Sequence, residues 1–136
     1  MKINLGCGND KLRGYLNLDS SREVKPDKVW NLENTPLPFK TNSVSEIIGN
    51  HVLEHVNRFI PLMHELWRIS ENRAIIKIRS PHFASYSAWT DLTHKHPFGY
   101  MSFDYVAANK THKHSVGKSL SHEYGEERFN VKIQKI

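Results

Sequence analysis

The chain has 136 residues, of which 38% are hydrophobic and 24% charged, and its formal net charge is +5 with the histidines neutral. This length and composition predict one globular domain and exclude a separate substrate domain. They also exclude a membrane-spanning helix, because no apolar run approaches the roughly 18 residues that a span needs.

The basic charge and the amino terminus bear on partners and location. A mildly basic surface can attract nucleic acid, but the chain contains no long lysine or arginine run and no recognised nucleic-acid motif. Met1 and Lys2 lead directly into a predicted strand, without the apolar stretch and cleavage site of a signal peptide. We therefore predict a cytoplasmic protein that binds no membrane, with nucleic acid left open as a partner.

Two glycines directly follow the first predicted strand, residues 2–5, and enclose the single cysteine as Gly6, Cys7 and Gly8. Glycine at this point lets the backbone turn sharply and lets a ligand approach where a Cβ would block it. The next predicted strand ends on Asp19, whose carboxylate can accept hydrogen bonds from two ribose hydroxyls. This arrangement is typical of a nucleoside site.

The glycine pattern departs from the dinucleotide fingerprint. That fingerprint would place a third glycine where Lys11 stands, and its acidic residue would follow later than Asp19 does. A pyrophosphate ligand is therefore disfavoured. A nucleoside without phosphates and a tight turn without any ligand both remain open.

Beyond Asp19 the chain alternates strands with helical or irregular segments. Strands are predicted at residues 28–30, 47–50 and 74–78. Asn57 is placed to cap a helix whose apolar residues recur at helical spacing: Phe59, Leu62, Met63, Leu66 and Trp67. This alternation predicts an α/β fold with a mostly parallel sheet, whose ligands bind at the carboxyl ends of the strands.

The second half of the chain has weaker patterns. Lys77 interrupts the clearest strand, which predicts that one face there is thinly covered or lies at an interface. A short helix is predicted around residues 101–108, and residues 129–136 alternate as in a half-exposed strand.

Five stretches, taken in order, resemble the class I S-adenosylmethionine-dependent methyltransferases of the small, methyltransferase type 11-like kind. They are Leu5-Gly6-Cys7-Gly8, Asn17-Leu18-Asp19, Leu37-Pro38-Phe39, Val52-Leu53-Glu54-His55 and Glu65-Leu66-Trp67-Arg68-Ile69. The order and spacing of these stretches carry the resemblance, which covers residues 2–81. It implies a Rossmann-like fold, S-adenosylmethionine as cofactor, and methyl transfer to an acceptor that the sequence does not identify.

The resemblance assigns cofactor contacts to the glycine turn. Gly6, Cys7 and Gly8 would pass beneath the methionine and ribose portions of the cofactor, and Asp19 would hold the two ribose hydroxyls. A sulfonium cofactor carries no phosphate, which agrees with the missing third glycine. Asn4 departs from the family, which often has an acidic residue before the glycines.

The resemblance also assigns residues that follow the third and fourth strands. Asn31 stands where the family often has an acid for the adenine amino group, and the backbone of Leu32 would lie beside the ring. Asn50 and His51 would line the methionine end.

The resemblance further divides the single domain, residues 1–136, into three parts. These are a cofactor-binding core at 1–81, a substrate-side insertion at 82–128 and a terminal strand at 129–136. Helix coverage is reduced, because the span between Gly8 and Tyr15 is too short for a crossover helix, and the final strand pair is truncated. A second subunit commonly hides uncovered faces of this kind, so we predict a homo-oligomer.

Three histidines are candidates for removing a proton from the acceptor: His51, His82 and His94. The first two follow the fourth and fifth predicted strands. In related methyltransferases a threonine-histidine pair followed by phenylalanine lies near the substrate, which favours His94. For His51 and His82, a merely hydrogen-bonding or exposed role remains the alternative.

Other chemical groups have simpler interpretations. Asp91, His94 and His96, with His112 or His114, match no standard zinc spacing, so no metal site is predicted. Neighbouring side chains on a helix diverge, which argues against a Glu54–His55 dyad. Four aromatic residues are predicted to form a local core: Tyr86, Trp89, Tyr100 and Phe103.

The main alternative to an enzyme is a methyltransferase-like domain without catalysis. The reduced helix coverage and truncated sheet favour such a module, which would bind nucleic acid or a protein partner.

Overall fold

The computed structural model describes residues 1–108 and 129–132. Within them, five parallel strands form one sheet in the order β3-β2-β1-β4-β5. The elements are β1 (Lys2–Leu5), β2 (Leu16–Asp19), β3 (Lys28–Val29), β4 (Val44–Asn50), α1 (Phe59–Ile69), β5 (Ser70–Arg79) and α2 (Ser87–Thr90). Short 3-10 turns occur at Leu53–His55 and Ser102–Val106. The predicted α/β fold with a Rossmann-like parallel sheet is confirmed.

The core lies between the sheet and α1. Ile3 and Leu5 of the central strand β1 are fully buried, as is expected of a strand with neighbours on both sides. On α1, Leu62, Met63 and Leu66 are buried as the helical spacing predicts, whereas Trp67 is 45% exposed. Trp67 therefore does not pack into the sheet, and it borders an open groove beside β5.

The prediction that Asn57 caps α1 is wrong. The helix has no side-chain cap, and its cap position is Arg58. Instead, the Glu33 carboxylate accepts hydrogen bonds from the backbone N–H groups of Asn57 at 2.6 Å and Arg58 at 3.2 Å. A negative charge at this end of the helix also interacts favourably with the helix dipole.

The connection from β1 to β2 contains no helix, as predicted, and two buried amides hold it in place. The side-chain nitrogen of Asn4 donates to the carbonyl oxygen of Asp10 at 2.9 Å and to Oδ1 of Asn17 at 3.0 Å. Oδ1 of Asn17 also accepts from the Leu12 N–H at 2.8 Å. Asn17 in turn donates backbone and side-chain hydrogen bonds to Asp27, which lower the pKa of that carboxyl.

Within residues 1–108 and 129–132, no element covers the face of β5 that carries Ile75 and Lys77, which confirms the prediction made from Lys77. Ile75 is 55% exposed, and Lys77 on the same face lies at the surface. Glu46 of β4 binds Nζ of Lys77 at 2.7 Å and Nζ of Lys2 at 2.8 Å. These hydrogen bonds, that of Lys2 first, lower the pKa of Glu46 to about 2.

The predicted short helix near residues 101–108 is present as the 3-10 turn Ser102–Val106. Of the predicted terminal strand, residues 133–136 lie outside the described part, and Phe129 forms a single bridge to Ala107. None of the described helices has the length and hydrophobicity to cross a bilayer.

The prediction of a local aromatic core is wrong for Tyr86 and Trp89, which are 85% and 64% exposed. Both lie at or beside the single-turn helix α2, whose buried residue is Ala88. Phe103 does belong to an aromatic cluster, which contains Phe59 at 5.8 Å and Phe98 at 5.4 Å between ring centroids. An element of one turn is too short to bury every aromatic residue beside it.

Candidate functional site

The two glycines after β1 are required for different reasons. Both have positive φ, +57° at Gly6 and +49° at Gly8, a region that side chains disfavour. A Cβ on Gly6 would lie 2.3 Å from Cγ2 of Val52, so this position is fixed by packing. A Cβ on Gly8 would have no atom within 4 Å. Gly8 thus borders open space that a ligand can enter.

Asp19 faces this space from the end of β2. Its Oδ2 accepts a hydrogen bond from the Gly8 N–H at 2.8 Å, and its Oδ1 accepts from the Ser21 N–H at 2.9 Å. Each carboxylate oxygen has two acceptor sites, so both oxygens can still accept a hydroxyl. The structure therefore brings Gly8 and Asp19 together in an orientation that suits a diol.

Cys7 contributes packing to this turn. Its side chain is buried and its Sγ lies 3.5 Å from the Gly8 carbonyl oxygen. Burial, followed by the charge of Asp19, raises the pKa of the thiol. The thiol therefore stays protonated, which is unsuitable for a nucleophile.

Asn31 and Leu32 follow β3 next to this position. The Trp30 N–H donates to the carbonyl oxygen of Asp19 at 2.8 Å, which ties the start of this segment to the end of β2. Asn31 is exposed, and its Oδ1 accepts from the Glu33 N–H at 3.0 Å. The Leu32 side chain is buried in the core, so only its backbone can face a ligand.

Asn50 and His51 are at the carboxyl end of β4, and Asn50 is exposed. His51 has φ +51° and donates its N–H to the Arg79 carbonyl oxygen at 2.8 Å. This conformation is uncommon for a residue other than glycine, and such positions cluster at functional sites. The His51 side chain is 55% exposed, with Nδ1 3.4 Å from Oε1 of Glu54.

Glu54 connects several parts of the site, and the sequence patterns did not identify it as a site residue. Its side chain is 1% exposed, and its Oε2 accepts from Oγ of Ser80 at 2.9 Å. Its backbone oxygen accepts from the N–H groups of Lys95 at 2.6 Å and His96 at 3.2 Å. Glu54 therefore connects the ends of β4 and β5 with the histidine segment, residues 91–98.

The expectation that Glu54 and His55 point apart is wrong. Together with His94 they place one ligand atom each within 4.8 Å of one another. The divergence rule holds for regular helices, and Leu53–His55 is a single 3-10 turn.

His82 follows β5 and is enclosed by aromatic rings. Its centroid lies 4.5 Å from that of Phe83 and 4.9 Å from that of Tyr100. Nδ1 accepts from the Ala84 N–H at 3.3 Å, so the proton of the neutral ring is on Nε2, which is buried. His82 and His51 both line the β5 groove, an open groove of about 1290 Å³.

His94 borders a different cavity from the other two candidate histidines. Nδ1 donates to the Ala88 carbonyl oxygen at 3.0 Å, and the ring borders a smaller cavity of about 250 Å³. The lining of the β5 groove includes neither Gly8 nor Asp19. The glycine turn is nevertheless the better ligand site, because its polar groups converge, whereas the larger groove is wide and open.

Comparisons with known proteins identify the fold. No family model and no curated protein matches the chain. Among solved structures, it is similar to a chain of the complex between the Haloferax volcanii Trm112 methyltransferase activator and the proposed methyltransferase, with TM-score 0.60 and 14% identity. The match covers 76% of this chain and 57% of that one. The fold is therefore methyltransferase-like.

Proposed function

We propose that this chain binds S-adenosylmethionine and transfers its methyl group to an acceptor yet to be identified. The observation that carries the proposal is the pairing of Gly8 and Asp19, with open space beside the glycine and free acceptor sites on the carboxylate. This pairing lies at the carboxyl ends of β1 and β2, where parallel sheets bind nucleosides.

The residues present fit this cofactor. Asp19 would hold the ribose hydroxyls, Gly6 and Gly8 would allow close approach, and Asn31 with the Leu32 backbone would border the adenine. The site offers no third glycine for a diphosphate, and a sulfonium cofactor needs none. Bound S-adenosylmethionine would supply an electrophilic methyl carbon, so the protein mainly has to position the acceptor.

Among the candidate bases, we assign proton removal to His51. Its ring is exposed at the end of β4 and borders the β5 groove, so an acceptor can reach it. Nδ1 of His51 lies 3.4 Å from Oε1 of Glu54, which places the ring beside the carboxyl end of β4. His82 lines the same groove and is more enclosed, so we assign it to shaping the acceptor side, whereas His94 borders the smaller cavity.

Calorimetric titration with S-adenosylmethionine and S-adenosylhomocysteine tests the proposal. We expect saturable binding to the unaltered chain and a loss of at least about tenfold in Asp19→Asn, because charge-assisted hydrogen bonds to the ribose are removed. Asp10→Asn makes the same charge change on the exposed β1–β2 connection and should leave affinity unchanged. Absence of binding to the unaltered chain, with the fold verified by circular dichroism, would remove the enzyme proposal.

A role as a binding module is the second candidate, and the face of β5 that carries Ile75 and Lys77 favours it. Ile75 is exposed on this face, and the structurally similar chain comes from a complex with an activator protein. We propose that a second copy of this chain covers the surface. Analytical ultracentrifugation at micromolar concentration should then show a homo-oligomer, and a monomer would contradict it.

Nucleic acid is the other partner class for a binding module, on the basis of the net charge of +5. Filter binding across salt concentrations tests whether the chain binds nucleic acid. Affinity should fall steeply as salt rises if phosphates are bound, and a flat response would exclude this partner.

A further inference from the structure

Three metal-ligating side chains meet where the Leu53–His55 turn contacts the histidine segment. Glu54, His55 and His94 each offer one ligand atom, and these atoms all lie within 4.8 Å of one another. The two histidine rings are 4.7 Å apart in an edge-to-face arrangement. The cluster joins neighbours in sequence to a residue far along the chain, which is why no ligand spacing was visible.

The Glu54 carboxylate lacks a complete set of partners. The side chain is 1% exposed, and Oε2 is satisfied by Ser80. Oε1 is buried without a hydrogen bond, and Nδ1 of His51 lies 3.4 Å from it. A buried carboxylate oxygen without a partner is unfavourable, and a cation would satisfy it.

Hydrogen bonds place both histidines in the same tautomer. Nδ1 of His94 faces the Ala88 carbonyl oxygen, which can only accept, so Nδ1 carries a proton. Oγ1 of Thr93 donates its single proton to Oδ1 of Asp91 at 2.6 Å. It must therefore accept from Nδ1 of His55 at 2.9 Å.

Nε2 of each neutral ring is consequently left with a free lone pair. In metal sites, ligating histidines almost always donate their other N–H to an oxygen in this way. Oδ2 of Asp91 lies 3.8 Å from Nε2 of His94, which adds negative charge at the border of the cluster.

We propose that Glu54, His55 and His94 bind a zinc ion. Two imidazoles and one carboxylate form a known zinc ligand set, and three protein ligands leave one position for water. Ligands about 2.0 to 2.1 Å from a tetrahedral ion are roughly 3.4 Å apart, so ion binding would draw the three side chains closer together. The ion would fasten the histidine segment to the end of β4, whether or not the chain transfers methyl groups.

Zinc titration of the untagged, chelator-treated full chain tests the proposal, with Co²⁺ as a spectroscopic probe. We expect one Zn²⁺ per chain, a raised thermal midpoint, and visible Co²⁺ absorption bands from nitrogen and oxygen ligands. Mg²⁺ should give none of these effects, because it prefers oxygen ligands only. His94→Gln should weaken Zn²⁺ binding by more than about 100-fold, beyond the loss typical of outer-shell changes.

His96→Gln is the matched control, because it removes a histidine of the same segment that is outside the cluster. It should keep the zinc affinity of the unaltered chain. If His94→Gln does not fold, the exposed variant Asp91→Asn should still weaken zinc about 10- to 100-fold by releasing Thr93 and His55. No zinc binding, or equal binding by the unaltered chain and His94→Gln, would overturn the proposal.

Discussion

At the scale of single residues, Gly6 and Gly8 separate the requirements of folding from those of ligand binding. Both have positive φ, but only a side chain at Gly6 would collide with Val52. The same substitution can therefore be compared at Gly6 and Gly8, because it causes a steric clash at Gly6 and none at Gly8.

We expect Gly6→Ala to lower the free energy of unfolding by about 3 kcal/mol, from overpacking together with the left-handed backbone. Gly8→Ala should cost only about 1 kcal/mol, from the backbone alone, and should instead weaken binding of S-adenosylhomocysteine. Urea unfolding and calorimetric titration measure the two effects. Equal stability losses, or unchanged binding by Gly8→Ala, would contradict these roles.

Glu46 provides a residue-scale prediction about pH. Hydrogen bonds from Lys2 and Lys77 lower its pKa from 4.5 to about 2 in the folded chain. Its contribution to stability is therefore fully present above the unfolded pKa of 4.5, and it is lost as pH falls from there towards 2.

Carboxyl NMR should show Glu46 still ionised at about pH 3.5, and Lys77→Gln should raise its pKa. Lys28→Gln, which changes a lysine at the opposite edge of the sheet, should leave the titration of Glu46 unaltered. A Glu46 midpoint near its ordinary value in the unaltered chain would show that the two lysine contacts do not form in solution.

At the scale of elements, Arg68 fastens the segment before β4 onto α1. Its guanidinium binds Glu65 through two hydrogen bonds of 2.7 Å each, and the hydrogen bonding by Arg68 lowers the pKa of Glu65. It also donates to the carbonyl oxygens of Leu37 at 3.1 Å and Phe39 at 3.0 Å. One planar cation thus holds two elements by several charge-assisted bonds.

Arg68→Lys should lower the free energy of unfolding by about 2 kcal/mol, because an ammonium cannot reproduce the forked geometry. Chemical denaturation provides the measurement, and Arg13→Lys on the exposed β1–β2 connection is the control. If both variants were equally stable, the paired hydrogen bonds between Arg68 and Glu65 would contribute little to the free energy of unfolding.

The sequence predicted elements well where local patterns decide them. β1, the glycine turn, Asp19 and the apolar face of α1 follow from spacing and residue type alone. Local sequence does not identify Glu33 as the group at the start of α1, because Glu33 comes from a distant loop, whereas Asn57 is the nearest residue of a capping type. The roles of Asn4 and Glu54 were missed for the same reason, since their partners are set by tertiary contacts.

At the scale of the whole molecule, the parallel sheet places the carboxyl ends of β1, β2 and β4 on the same side of the molecule. This side carries Asp19, Asn31 and His51, which come from different strands. Their shared location could be predicted, because each one ends or follows a strand of a parallel sheet. Coverage of the sheet could not be predicted in the same way. The exposure of Trp67 and Tyr86 depends on what packs beside β5 and α2, and no local pattern encodes that.

The central claim is that a nucleoside cofactor binds at the ends of β1 and β2. Backbone amide NMR during titration with S-adenosylhomocysteine tests it most directly. We expect saturable shifts at Gly8, Asp19 and Ser21. No shifts at any concentration, or shifts confined to residues of the β5 groove such as Ile76, would contradict it.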